Sequence, residues 1–195
     1  MHNKVKFTIT TDFCIFVVLM LFLLPLRWLL GWLIATFLHE LFHYVVLKLS
    51  GIDVFSLKIT AGGVIMESEP VIGLKGVFCS LSGPIGGLSL LLLRRWMPCT
   101  AVCAWIHSVY NLLPIYPLDG GRALACFLEL VFSDSTSRMI SACVGCICFV
   151  CLITLGILSI FQYRLGPIPV LFAVMLIIKN LKLNIPCKQE KQIVQ

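Results

Sequence analysis

The chain is built from apolar runs, each about as long as a lipid bilayer is thick, joined by short polar links. A helix needs roughly 20 mostly apolar residues to cross the hydrocarbon core. Six stretches approach that length. They lie at about 13–29, which contains Pro25, at 29–49, at 72–93, at 99–132, which contains Pro114 and Pro117, at 138–161 and at 167–181. Hydrophobic residues are 59% of the 195 and charged residues only 12%, whereas soluble domains carry about a quarter charged residues. A soluble domain of this size cannot hide so much apolar surface, so lipid is the solvent for most of it. The expected fold is an all-α integral membrane bundle of about six transmembrane helices.

One stretch breaks the pattern. Residues 51–70, between the second and third runs, hold β-branched residues in partial alternation around Gly62-Gly63. That predicts a small β-hairpin. Any part of it at membrane depth must pair its backbone with itself or with other protein. It can serve as a strand for an extended peptide to pair with, or as a cover over the helix before it. A single membrane domain is expected over 1–182, with its core at about 29–132, followed by a short polar tail at 183–195.

The net charge of +6 sits in loops and tails and is read as a topology signal. No basic stripe interleaved with aromatics suggests nucleic acid as a partner. With the N-terminus inside and six crossings, eleven of the fifteen Lys and Arg fall on the cytoplasmic side. The positive-inside bias therefore predicts a multi-pass protein with both termini cytoplasmic. A bacterial cell membrane is the expected location. Arg94-Arg95 is the dissenting pair. No small-residue cleavage pattern follows the first run, which is expected to be an uncleaved anchor. Most of the ten cysteines lie inside apolar runs, where free Cys behaves as a small apolar residue.

His39-Glu40-Leu41-Phe42-His43 lies in the second run. On a helix the two histidines are one turn apart and face the same way, so both can bind one zinc ion. Glu40 then lies beside the metal, placed to take a proton from water. Ionisable groups within a spanning helix cost a few kcal/mol each on insertion scales. Three within five residues need compensation, and a cation supplies it. Zinc takes a third protein ligand and keeps one position open. Asp119, in Asn111-Leu-Leu-Pro114-Ile-Tyr-Pro117-Leu-Asp119-Gly120-Gly121, is the carboxylate in the broken middle of the fourth run. Broken helices at membrane depth line sites, which favours Asp119 as that ligand. It is also suited to cap a helix starting near Gly120.

These two motifs, in this order, resemble the site-2 protease family of intramembrane metalloproteases. Ser82-Gly83-Pro84 is similar to that family's Gly-Pro element, and Ala61-Gly62-Gly63 in the hairpin resembles its sporulation sigma-factor-processing branch, stage IV sporulation protein FB. The resemblance implies one zinc ion on His39, His43 and Asp119, with Glu40 as general base and Asn111 near the substrate or the oxyanion. It implies hydrolysis of peptide bonds in a membrane-associated protein substrate, close to the cytoplasmic face, with a regulatory membrane protein as a further partner of this class. Neither a PDZ domain nor a nucleotide-sensing domain of the cystathionine-β-synthase type is expected in the chain.

Cys143-x-x-Cys146-x-Cys148-x-x-Cys151 has the look of a metal cluster, but on one helix these four cannot converge, and packing is expected. His107, one turn before Asn111, is either a further polar group of the site or a structural histidine. The rival readings are a membrane zinc transporter and a non-proteolytic scaffold. Glu40 argues against the first, and the complete ligand set against the second.

Overall fold

A computed structural model of the protein describes residues 6–61 and 63–163. The elements run β1 (Lys6–Ile9), α1 (Thr11–Leu23), α2 (Leu26–Leu49), β2 (Val54–Thr60), β3 (Gly63–Ser68), α3 (Gly73–Ser89) with a 3₁₀ turn at Leu90–Leu93, α4 (Pro98–Asn111), α5 (Asp119–Leu128) and α6 (Asp134–Tyr163). Among the described residues, three helical stretches are long and apolar enough to cross a membrane: Leu26–Leu49, Gly73–Leu93 and Asp134–Leu158. Phe22, Phe37, Phe78, Leu92 and Ile147 stand exposed on the outside. Apolar helices with an apolar exterior make this an integral membrane protein.

The expected count of six spans meets the prolines. Pro25 ends the first run early, so α1 has 13 residues, about 20 Å of helix against a core of about 30 Å. Pro114 and Pro117 divide the fourth run into α4 and α5, with the cis Tyr116–Pro117 bond in the link. The segment at 167–181 and the tail at 183–195 lie outside the described residues.

The hairpin is present, but as two strands of a three-stranded sheet of order β1-β2-β3. β2 and β3 pair antiparallel, with Leu57 opposite Met66 and a register shift between Val54 and Ser56. β1 pairs parallel to β2, with Phe7 opposite Leu57. Its four residues are too few for alternation to announce a strand. Backbone and hydroxyl of Thr10 both donate to the Ile59 carbonyl, at 3.0 and 2.8 Å, and the Asp12 carboxylate accepts from the Ala61 amide at 2.9 Å. The corner between β1 and α1 is thereby tied to the hairpin end. Gly63 has φ +118°, a left-handed geometry that favours glycine just past the turn.

At the centre, α2 packs against α3 and α4, and α3 also packs against α5. The interior of this layer is small and polar: Ala35, Ala104, Ser80, Ser82, Thr100 and Ser108 are buried there. In lipid, water no longer drives apolar side chains inward, and helices associate where small residues let backbones approach. α3 presents Gly83, Gly86 and Gly87 to its neighbours. A Cβ on Gly83 would collide with the His43 ring, and one on Gly86 with Phe42. α6 leans on the link before α5, with Cys148 and Leu152 packed against Ile115 and Leu118.

Candidate metal centre

α2 carries His39, Glu40 and His43 in its C-terminal half, and the link after α4 delivers Asp119 to the same point. Gly120 and Gly121 make that delivery possible. A side chain on Gly120 would strike the backbone of Leu112 and Leu113, and one on Gly121 the backbone of Ile115 and Tyr116. The chain folds back on itself there too tightly for any Cβ. Asp119 is the first residue of α5, and Leu118 holds the cap position without a side-chain cap bond. The Asp119 carboxylate points to the histidines instead.

One oxygen, Asp119 Oδ2, lies 2.9 Å from His39 Nε2 and 3.0 Å from His43 Nε2. His39 is 2% exposed and Asp119 8%. The ligand atoms of all three residues fall within 4.8 Å of one another. Among the described residues no other group of His, Cys, Asp and Glu converges in this way. The nine described cysteines, including Cys143, Cys146, Cys148 and Cys151, are free thiols.

Hydrogen bonding around His43 tests whether a cation fits. His43 Nδ1 lies 2.7 Å from the Cys79 carbonyl and 3.3 Å from the Ser82 hydroxyl, which itself donates to the same carbonyl at 2.7 Å. A carbonyl only accepts, so Nδ1 carries the proton and, in the neutral ring, Nε2 offers a lone pair. That lone pair faces a carboxylate oxygen, another acceptor. Two lone pairs at 3.0 Å repel unless a positive charge stands between them. Two imidazoles and one carboxylate match zinc in donor type and number, and the backbone contact on the remote nitrogen is the usual support of a metal-binding histidine. The His-His-Asp group therefore fits zinc.

Glu40 follows His39 on α2 and is half-buried. Asn111, the last residue of α4, is half-buried and donates from Nδ2 to the His107 carbonyl at 3.0 Å. The His107 ring packs edge-on against His39, with centroids 4.6 Å apart. The Cys79 carbonyl is a partner that no side-chain motif could reveal. Ser82 stood in the sequence as part of Ser82-Gly83-Pro84, and its hydroxyl turns out to support His43.

The fold and site define a class: a membrane-helix bundle with a buried His-His-Asp cluster beside a small sheet. No known protein-family profile matches the chain. In sequence it is similar to a zinc metalloprotease of Methanocaldococcus jannaschii, 29% identical over 143 residues, which is 65% of this chain and 41% of that protein. The chain thus spans less than half the length of this curated relative. In structure it is similar to the site-2 protease from Methanocaldococcus jannaschii, with a TM-score of 0.65, 18% identity and 90% of each chain covered. The fold is the site-2 protease fold.

Proposed function

We propose that the chain is an intramembrane zinc metalloendopeptidase of the site-2 protease family. The observation that carries this reading is the convergence of His39 Nε2, His43 Nε2 and Asp119 Oδ2, with both histidines on a helix long enough to cross a membrane. His39, His43 and Asp119 hold one ion. When bound, zinc supplies a Lewis acid that makes water nucleophilic near neutral pH and polarises the scissile carbonyl. Glu40 takes the proton from that water and passes it to the leaving amine. Asn111 contributes a polar contact to the substrate or the oxyanion.

The substrate is a membrane-associated protein, locally unwound, since a helical peptide bond is shielded. An outer edge of the sheet offers backbone groups to an extended segment of it. Pairing of β1 with β2 supports a common side for the N-terminus and the hairpin. With the positive-inside bias that side is cytoplasmic, and the metal lies nearer that face. The Ala61-Gly62-Gly63 resemblance makes a membrane-tethered sporulation pro-sigma factor the first substrate to try.

Co-expression with candidate single-pass substrates tests the reading, comparing wild type with Glu40→Gln. The variant is expected to retain zinc and lose cleavage. Unchanged cleavage of a substrate by the glutamine form would refute the assignment of Glu40.

A further inference from the structure

The two histidines of α2 are unequally supported. His43 Nδ1 has the Cys79 carbonyl and the Ser82 hydroxyl. His39 Nδ1 is buried with no hydrogen-bond partner, and so is the Ser108 hydroxyl on α4. Ser108 is 0% exposed and His39 2%, so bulk water serves neither. Both atoms flank one place on α3, the missing side chain of Gly87. A Cβ there would collide with Ser108 Oγ and stand 3.7 Å from His39 Nδ1.

The two groups are complementary. If His39 offers Nε2 to a metal, its Nδ1 carries the proton and needs an acceptor, and a serine hydroxyl has two lone pairs. Left apart and buried, each bears the desolvation cost of a hydrogen bond not made. We propose that Ser108 is the positioning residue of His39. Its oxygen accepts the Nδ1–H, directly after a turn of the serine side chain or through one buried water beside Gly87. This rests on the zinc reading above and gives both histidines a fixed tautomer and ring orientation. Thr36 Oγ1 is also buried without a partner, one turn before His39 on α2. A helical threonine can turn its hydroxyl to a carbonyl of the preceding turn, and nothing places it beside Gly87.

The test is zinc affinity of the full chain in detergent, by competition with a chromogenic chelator, alongside the thermal midpoint of the metal-free protein. Ser108→Ala is expected to weaken zinc by about 10–100-fold, the usual loss when an outer partner of a ligand is removed. The metal-free midpoint is read beside it, so that lost affinity in a protein that still folds is assigned to the aim of His39 and not to unfolding. Thr36→Val should leave affinity near that of wild type. Wild-type affinity in Ser108→Ala overturns the proposal, whatever its midpoint, and so does a larger loss in Thr36→Val. A wild-type protein that binds no zinc overturns the metal centre itself, an outcome distinct from equal binding by both forms.

Discussion

Gly83→Ala should damage the metal centre more than the fold. The added Cβ would stand 2.6 and 2.7 Å from Cδ2 and Cε1 of His43 and collide with Nε2, the atom offered to the metal, whereas ordinary contact begins at 3.4 Å. The ring must retreat by roughly 0.8 Å at Cδ2 and by more at Nε2, while metal–ligand distances tolerate only about ±0.2 Å. Retreat also strains the 2.7 Å contact of Nδ1 with the Cys79 carbonyl. Overpacking of this kind costs about 1–3 kcal/mol. If that cost falls on the ligand, zinc affinity drops between about fivefold and 150-fold, at 1.4 kcal/mol per tenfold.

Gly86→Ala is the matched control. Its Cβ meets Phe42 rather than a ligand, with Phe42 Cβ at 2.7 Å. Both variants should lower the thermal midpoint of the metal-free protein, and Gly83→Ala alone should lose zinc in chelator competition. If folded Gly83→Ala keeps wild-type affinity, His43 is not held as a ligand in this geometry, and the reasoning fails. Equal zinc loss in both variants would show that helix packing, not ligand placement, sets the affinity.

Two further outcomes follow. Asp119→Asn should lose zinc by more than the roughly 10–100-fold typical of outer partners, yet stay folded without metal, since an amide can donate to a histidine Nε2. Chelator competition and circular dichroism check this, and retained affinity would remove Asp119 from the ligand set. For topology, an impermeant thiol reagent outside intact cells should miss Glu69→Cys, just after β3, and label Arg95→Cys, both in a cysteine-free background. The reverse pattern would invert the protein in the membrane and leave the zinc chemistry as it is.

Much of the site was legible because its residues violate the solvent rule of their surroundings. His39, Glu40 and His43 are conspicuous in an apolar run, and Asp119 is conspicuous between prolines. Helical spacing alone predicts that the two histidines share a face. It cannot predict that a residue 80 positions later arrives within 2.9 Å; that depends on the chain reversing over Gly120 and Gly121. The fold was less legible. β1 is four residues long, and its pairing with β2 is parallel and remote, so no local pattern encodes it. The stretch at 13–29 reads as one apolar run, and its helix ends at Leu23, just before Pro25.

What the sequence concealed most is the support of the candidate ligands, because that support is made of features without side-chain signatures. A backbone carbonyl orients His43. Missing side chains at Gly83 and Gly87 make room for His43 and Ser108. In a core joined by small residues few bulky side chains reach the ligand rings, the His107 ring against His39 being one, so much of their orientation falls to hydrogen bonds. Inside a membrane such bonds have little water to compete with them. The apolar setting that makes the three ionisable groups expensive is therefore the setting in which one carbonyl, or one serine oxygen, suffices to aim a ligand. On that logic, substitutions of glycine and serine on α3 and α4 should affect metal affinity more than truncations of the large apolar residues that face lipid.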